Sequence, residues 1–391
     1  MPTPTPLADA FDRDLAVAHL RELTLEIGPR PAGSANEHAA AEYLRDTLAG
    51  YGYEADLQQF TLETYVEHAT ELELVAPEAR SLAAIAIAGS ASGTVEGEVV
   101  NGGQGMVDDL IGAGGRIALI ERGGISYEQK VRNAAEAGAT GVIIYNSEGG
   151  VVSQRLYNLA GIPAVQVSRE EGLALTDLLA GGPVSARLVV EGSVADSVSY
   201  NVVARERGTV CRAVIGGHYD SVFIGPGAND NASGTVVVLE VARILAARDE
   251  ADGVCIALFG AEEAGLIGSE HYVSALSEAD HAALEVMLNF DMLGVGELWS
   301  FIGTTELVSA AGEAAEALGA PYEMAGELKG AGSDHASFET LGIPVLMFNC
   351  FCDPNYHQPT DLPDFIRRER LEQAAVIGLE VLEGALSEPA N

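Results

Sequence analysis

The sequence predicts an α/β protein: an open, mostly parallel sheet with helices on both faces, interrupted by an inserted, smaller α/β section. Three observations carry this. Short apolar runs of strand length alternate with helically spaced segments over the C-terminal half. A Gly-rich section of different texture separates that half from an N-terminal helical stretch. The 391 residues, 48% hydrophobic and 20% charged, suffice for two folded cores and exclude a disordered chain.

Taken in order, residues 15–25 and 39–48 have helical spacing. Residues 90–100 are Gly-rich and strand-like, and residues 116–122 form an apolar strand. Residues 127–137 then place Val131, Ala134 and Ala135 on one helical face, and Gly138 ends that helix. Residues 141–146 and 161–167 read as further strands. After residue 197 come four more strands, Ala213-Val-Ile-Gly-Gly-His218, Val254-Cys-Ile-Ala-Leu-Phe-Gly-Ala, Val286-Met-Leu-Asn-Phe-Asp291 and Pro344-Val-Leu-Met-Phe, with a helix over residues 235–247. The expected division is residues 1–65 with 195–391 as one domain and 66–194 as the insert.

The strands of the C-terminal half end in chemistry. His218 and Asp220 close the first, Glu262 and Glu263 the second, Asp291 the third. Asp230 precedes the helix, and the loop after the last strand carries Tyr356, His357 and Asp361. In open α/β sheets the functional crevice lies outside the carboxyl ends of the strands, so these groups are expected to converge. Two imidazoles with several carboxylates and no thiolate suit Zn²⁺ or a similar divalent ion. Two ions about 3.5–4 Å apart need a bridging carboxylate and terminal ligands on each side. His218 and Asp291 are expected to hold one, Glu263 and His357 the other, with Asp230 between them. Glu262 remains as a general base, and Asp220 as the acceptor for the second N–H of His218.

These motifs, namely His-x-Asp-Ser at 218–221, Asn-Asp-Asn-Ala-Ser-Gly at 229–234, Glu262-Glu263, Asp291 and Tyr356-His357, resemble the zinc aminopeptidase and glutamate carboxypeptidase family of co-catalytic metallopeptidases. Ile27-Gly-Pro-Arg-Pro-Ala-Gly-Ser34 resembles that family's N-terminal segment. The resemblance implies a phosphorylase/hydrolase-like zinc peptidase fold, two Zn²⁺ or other divalent ions per chain, and a cis peptide after Asp230. It also implies that Tyr356 polarises the substrate carbonyl. The run from Ile120 through Asn146 resembles the protease-associated domain, which in relatives sits beside the cleft, so a lid is expected of it. The implied activity is hydrolysis of the N-terminal peptide bond of peptides, the free amino group being held by Glu262 and Asp291. A carboxypeptidase or dipeptidase of the same family is the nearest alternative, although Arg is scarce around the motif loops. A single-zinc acyltransferase like the glutaminyl cyclases, and a non-catalytic protein like the transferrin receptor, are alternatives of other classes.

A net charge of −37, with Lys130 and Lys329 the only lysines, excludes nucleic-acid binding. An acidic, Arg-over-Lys composition fits either a high-salt habitat or GC-rich coding. No apolar run is long enough to span a membrane. The first residues show no basic and apolar leader, so a cytoplasmic protein is expected, a processed secreted form having the same appearance. The composition leaves the oligomeric state open. Cys211, Cys255, Cys350 and Cys352 are expected as free thiols. His19, His38, His68, His271 and His281 are expected on the surface. Asp334 and His335 either line a pocket or begin a helix with Ser333 as its N-cap.

Overall fold

The computed structural model describes residues 7–151, 154–156, 161–324, 332–350 and 353–387. It divides into two compact units, Met1–Leu62 with Ser197–Asn391, and Glu63–Asp196.

In the first unit, uninterrupted Val, Ile, Leu and Phe runs make strands with no solvent face. Ala213–His218, Val254–Phe259, Val286–Phe290 and Val345–Asn349 are buried at every position, as parallel strands covered on both sides must be. Ala213–His218 lies between Val254–Phe259 and Val286–Phe290, parallel to both, and Val345–Asn349 runs parallel to Val286–Phe290. Trp299–Gly303 then adds antiparallel and Tyr322–Met324 parallel to it, while Val202–Arg205 closes the other side antiparallel to Val254–Phe259. The parallel strands therefore present their C-terminal ends along one rim.

The helices follow ordinary start signals. Asp12 accepts from the N–H of Asp14 and Leu15 to begin Arg13–Arg21, and Ser34 from the N–H of Glu37 to begin Ala35–Gly50. Ser233–Arg248 is apolar almost all round because it packs on the Ala213–His218 strand and on helices Arg13–Arg21 and Arg368–Ser387. Trp299 and Tyr272 are core residues, as their sequence surroundings predict.

The second unit is also built on paired strands. Gly93–Asn101, Ile117–Glu121, Gly141–Tyr145 and Ala164–Val167 are parallel in that order, with Ile85–Ala86 antiparallel at the end. Its helix Tyr127–Glu136 is N-capped by Ser126, and Gly138 follows it at φ +80°.

Two expectations are overturned. Cys211 and Cys255 are not free thiols: they form a disulfide with Cα atoms 5.5 Å apart. The parallel register sets Cys255 beside Val214, and the main-chain N–H groups of Arg212 and Ala213 both bond the carbonyl of Gly253, so that Cys211, two residues before its strand, comes within bridging distance. Cys350 is a buried free thiol, and Cys352 lies outside the described residues. His19 is not on the surface but 7% exposed, its ring nitrogens engaging the hydroxyls of Tyr43 and Tyr51. His38 is half-buried against the carbonyl of Val198 and His271 against the ring of Phe60, whereas His68 and His281 are exposed. Among the described residues no helix is long and apolar enough to cross a membrane.

Candidate metal centre

Each site residue sits at a strand end or in the turn after one. Gly217 precedes His218 where the neighbouring strand leaves no room for a side chain: a Cβ would stand 2.4 Å from the carbonyl oxygen of Phe290. His218 is 1% exposed, and the hydroxyl of Thr235 donates to its carbonyl at 2.8 Å. Asp230 occupies a non-helical kink (φ −114°, ψ 90°) just before the Ser233–Arg248 helix, and the Asp230–Asn231 peptide is cis.

The groups converge in two sets sharing one member, His218 with Asp230 and Asp291, and Asp230 with Glu263 and His357. Nε2 of His218 lies 3.3 Å from Oδ1 of Asp230 and 3.4 Å from Oδ1 of Asp291. Nε2 of His357 lies 3.1 Å from Oδ2 of Asp230 and 3.0 Å from Oε2 of Glu263. Asp230 thus gives one oxygen to each imidazole. Glu262 belongs to neither set, its Oε2 standing 4.0 Å from Nε2 of His218. Tyr356 stacks on His357 with ring centroids 3.8 Å apart.

Asp220 does more than the spacing predicts. Its Oδ1 is 3.5 Å from Nδ1 of His218. The same carboxylate accepts the main-chain N–H of Glu262 at 3.0 Å and of Glu263 at 3.2 Å. One buried carboxylate therefore faces the imidazole and fixes the backbone of both glutamates.

The electrostatics are those of a site short of positive charge. Burial, then the neighbouring carboxylates Glu263, Asp334 and Asp291, push Glu262 well above the usual carboxylate range, against the pull of His218. Burial also raises Glu263. Burial alone would depress His218 and His357, yet the carboxylates around them raise both well above the usual imidazole value. Tyr356 is held as the phenol by burial and by Asp230 and Glu263. Among the described residues, Oδ1 of Asp291 and Oε1 of Glu263 are buried without a hydrogen bond. Crowded carboxylates, unpaired oxygens and two imidazoles form a donor set suited to borderline divalent cations.

Asp334 and His335 are both buried. Ser333 does not cap: its hydroxyl accepts from the amide of Asn289, and the helix His335–Glu339 begins at Asp334 with no side-chain cap. Burial raises Asp334 to about 7, opposed by His218 and reinforced by Asp220 and Asp291, so this carboxyl acts on the same cluster. Asp361 supports the turn at Asp230: its two oxygens accept the N–H of Asn229 at 2.8 Å and of Asp230 at 3.1 Å.

Sequence reasoning missed two supporting residues. Arg30 is completely buried behind the site, and Glu37 accepts from the N–H of Gly33 and the hydroxyl of Ser199, both at 2.6 Å. Both lie in or beside the 27–34 motif, but a carbonyl-binding Arg leaves no sequence signal of its own.

An open α/β sheet whose strand ends carry two nitrogen-and-oxygen donor sets with a common carboxylate has the layout of a metallohydrolase. The chain belongs to peptidase family M28, whose model matches residues 201–382, and residues 74–175 match the PA domain. It is 33% identical to the aminopeptidase YwaD of Bacillus subtilis over 390 residues, 93% of this chain and 83% of that protein. Among solved structures it is similar to an aminopeptidase from Aneurinibacillus sp. strain AM-1 (33% identity, TM-score 0.76, 98% of each chain). It is also similar to the zinc aminopeptidase BSAP from Bacillus subtilis (32% identity, TM-score 0.81, 96% of this chain and 95% of that one). A glutaminyl cyclase from Porphyromonas gingivalis shares the fold alone, at 16% identity and a TM-score of 0.56. The chain spans 61% of the length of a related Pseudomonas aeruginosa aminopeptidase.

Proposed function

We propose that this protein is a zinc aminopeptidase that removes the N-terminal residue of peptides, using two divalent ions and Glu262 as general base. The observation that carries it is the division of Asp230, one oxygen toward His218 and the other toward His357. His218 and Asp291 would complete one position and Glu263 and His357 the other. Divalent ions at such a centre acidify water and polarise the carbonyl under attack.

The chain's own groups supply the rest. Glu262, raised by burial and not claimed by either donor set, takes the proton of the attacking water and passes it to the leaving amine. Tyr356, kept protonated, donates a hydrogen bond to the developing oxyanion. Glu262 and Asp291 offer negative charge to a free amino terminus. Asp220 orients His218 and holds the backbone under Glu262.

The domain division is residues 1–65 with 195–391 for catalysis and 66–194 for the PA domain, and limited proteolysis at the two crossings tests it. The Cys211–Cys255 bond favours an oxidising compartment, and so a secreted form over the cytoplasmic one expected from sequence.

Amino-acid p-nitroanilides compared with N-blocked peptides, with and without a chelator, test the function. Cleavage only of free amino termini, lost on chelation and restored by Zn²⁺ or Co²⁺, is expected. Activity in metal-free protein overturns the metal mechanism, preference for blocked substrates the aminopeptidase activity, and one ion per active chain the two-ion centre.

A further inference from the structure

Arg30 is 0% exposed, yet among the described residues its guanidinium donates only to main-chain carbonyls. Nε reaches Tyr219 at 2.8 Å. Nη1 reaches Leu23 at 2.8 Å, Gly28 at 2.9 Å and Pro226 at 2.7 Å. Nη2 reaches Gly227 at 3.2 Å. The main chain of residue 30 adds two bonds, its N–H to the Ser221 hydroxyl at 3.0 Å and its carbonyl to the Ser221 N–H at 3.2 Å. Burying a guanidinium without a carboxylate in direct contact is costly, so its contacts must do something neutral groups would not.

Their distribution is specific. Tyr219 and Ser221 flank Asp220, the residue behind His218 and under Glu262. Pro226 and Gly227 open the turn that delivers Asp230, and the carbonyl of Gly227 also receives the N–H of Ala232 across that turn at 3.0 Å. Gly227 sits at φ +60°, where a Cβ would lie 2.4 Å from the carbonyl oxygen of Asp230 and 3.3 Å from Nη2 of Arg30. The carboxylates that act on the Arg30 charge are Asp220, Asp361 and Asp230. One planar, multi-donor cation thus ties together the two loops whose separation sets the distance between His218 and Asp230. A lysine ammonium, with three donors at a single point, cannot span the same set.

We infer that Arg30 is a positioning residue for the metal centre: it fixes the loop of Asp220 against the turn of Asp230, and so sets the affinity of the donor groups that share Asp230. This rests on the two-ion function proposed above.

The test compares the full-length wild type with Arg30→Lys, Arg30→Met and a Leu245→Ala control that is destabilised at a core position remote from the site. Zinc affinity is read by competition with a coloured chelator, the geometry of the centre by the visible spectrum of the cobalt-substituted protein, and kcat and KM with leucine p-nitroanilide. Folded Arg30 variants are expected to bind zinc roughly 10–100-fold more weakly, as loss of outer support does elsewhere. They should also show a changed cobalt spectrum and a lower kcat at saturating zinc with little change in KM. Leu245→Ala should lower the melting temperature and change none of these. An Arg30 variant that is less stable but keeps wild-type zinc affinity, spectrum and kcat overturns the inference. So does failure of both variants to fold with zinc present, which would make Arg30 a folding residue. Failure of the two-ion function shows separately, as wild-type protein that binds fewer than two ions.

Discussion

The carboxylate of Asp361 accepts the main-chain N–H of Asp230 at 3.1 Å, so the loop that carries His357 also holds the backbone of the carboxylate facing it. His357 and Asp230 approach from opposite ends of the chain's C-terminal half, and this contact makes their distance a property of one clamp. Asp361→Asn would turn an amide N–H₂ toward a main-chain N–H. The expected outcome is a roughly 10–100-fold loss in zinc affinity or kcat/KM with the fold retained, checked by metal titration and circular dichroism.

Glu262 and Glu263 are adjacent but unequal. Glu262→Gln is expected to keep both ions and lose roughly 10²–10⁴-fold in kcat, because the proposed proton acceptor is gone while the main-chain bond to Asp220 persists. Glu263→Gln is expected to weaken ion binding at the His357 position. Metal analysis beside steady-state kinetics separates the two, and equal metal loss in both variants would contradict the division of roles.

His19 gives a stability prediction remote from the site. Burial lowers its pKa below the ordinary 6.5, against a smaller opposing effect of Glu240. The unfolded chain therefore binds the proton first as pH falls. Stability from this residue is complete above about 6.5 and is lost as pH drops from there toward the folded-state value. His19→Gln should flatten that part of the curve, and urea midpoints from pH 7.5 to 5 measure it.

Reduction of Cys211–Cys255 should lower stability without changing turnover. The bond closes 44 residues, for which chain entropy corresponds to about 4 kcal/mol. It joins the starts of two strands whose far ends carry His218 and Glu262. A Cys211→Ser/Cys255→Ser double variant should denature at lower urea with wild-type kcat, and a lost kcat would show that the two rims are coupled.

Much of the fold was legible because fully apolar strands bounded by polar turns admit few alternatives, and the strand-end residues were legible because the topology forces them to one rim. The disulfide was not legible: Cys211 precedes its strand by two residues and meets Cys255 only through the turn that enters the sheet there. Nor was the burial of His19, which depends on two tyrosines from the following helix and its end. Trp299, which the sequence marks only as a core aromatic, opens a strand, Trp299–Gly303, that extends the sheet. Arg30 lies within the 27–34 motif, yet the sequence carries no sign of its role, because its partners are carbonyls, which every residue possesses.

The division of Asp230 between two imidazoles has a thermodynamic consequence. A carboxylate carries one negative charge, and at the proposed two-ion centre whichever ion arrived first would draw most of it away from the second position. The two positions would then be linked equilibria: the first ion would alter the affinity for the second, and by reciprocity the second would alter the first by the same factor. A zinc titration followed by calorimetry should resolve two unequal steps instead of two identical ones. Asp230→Asn should weaken both steps, because no part of the centre is independent of that side chain.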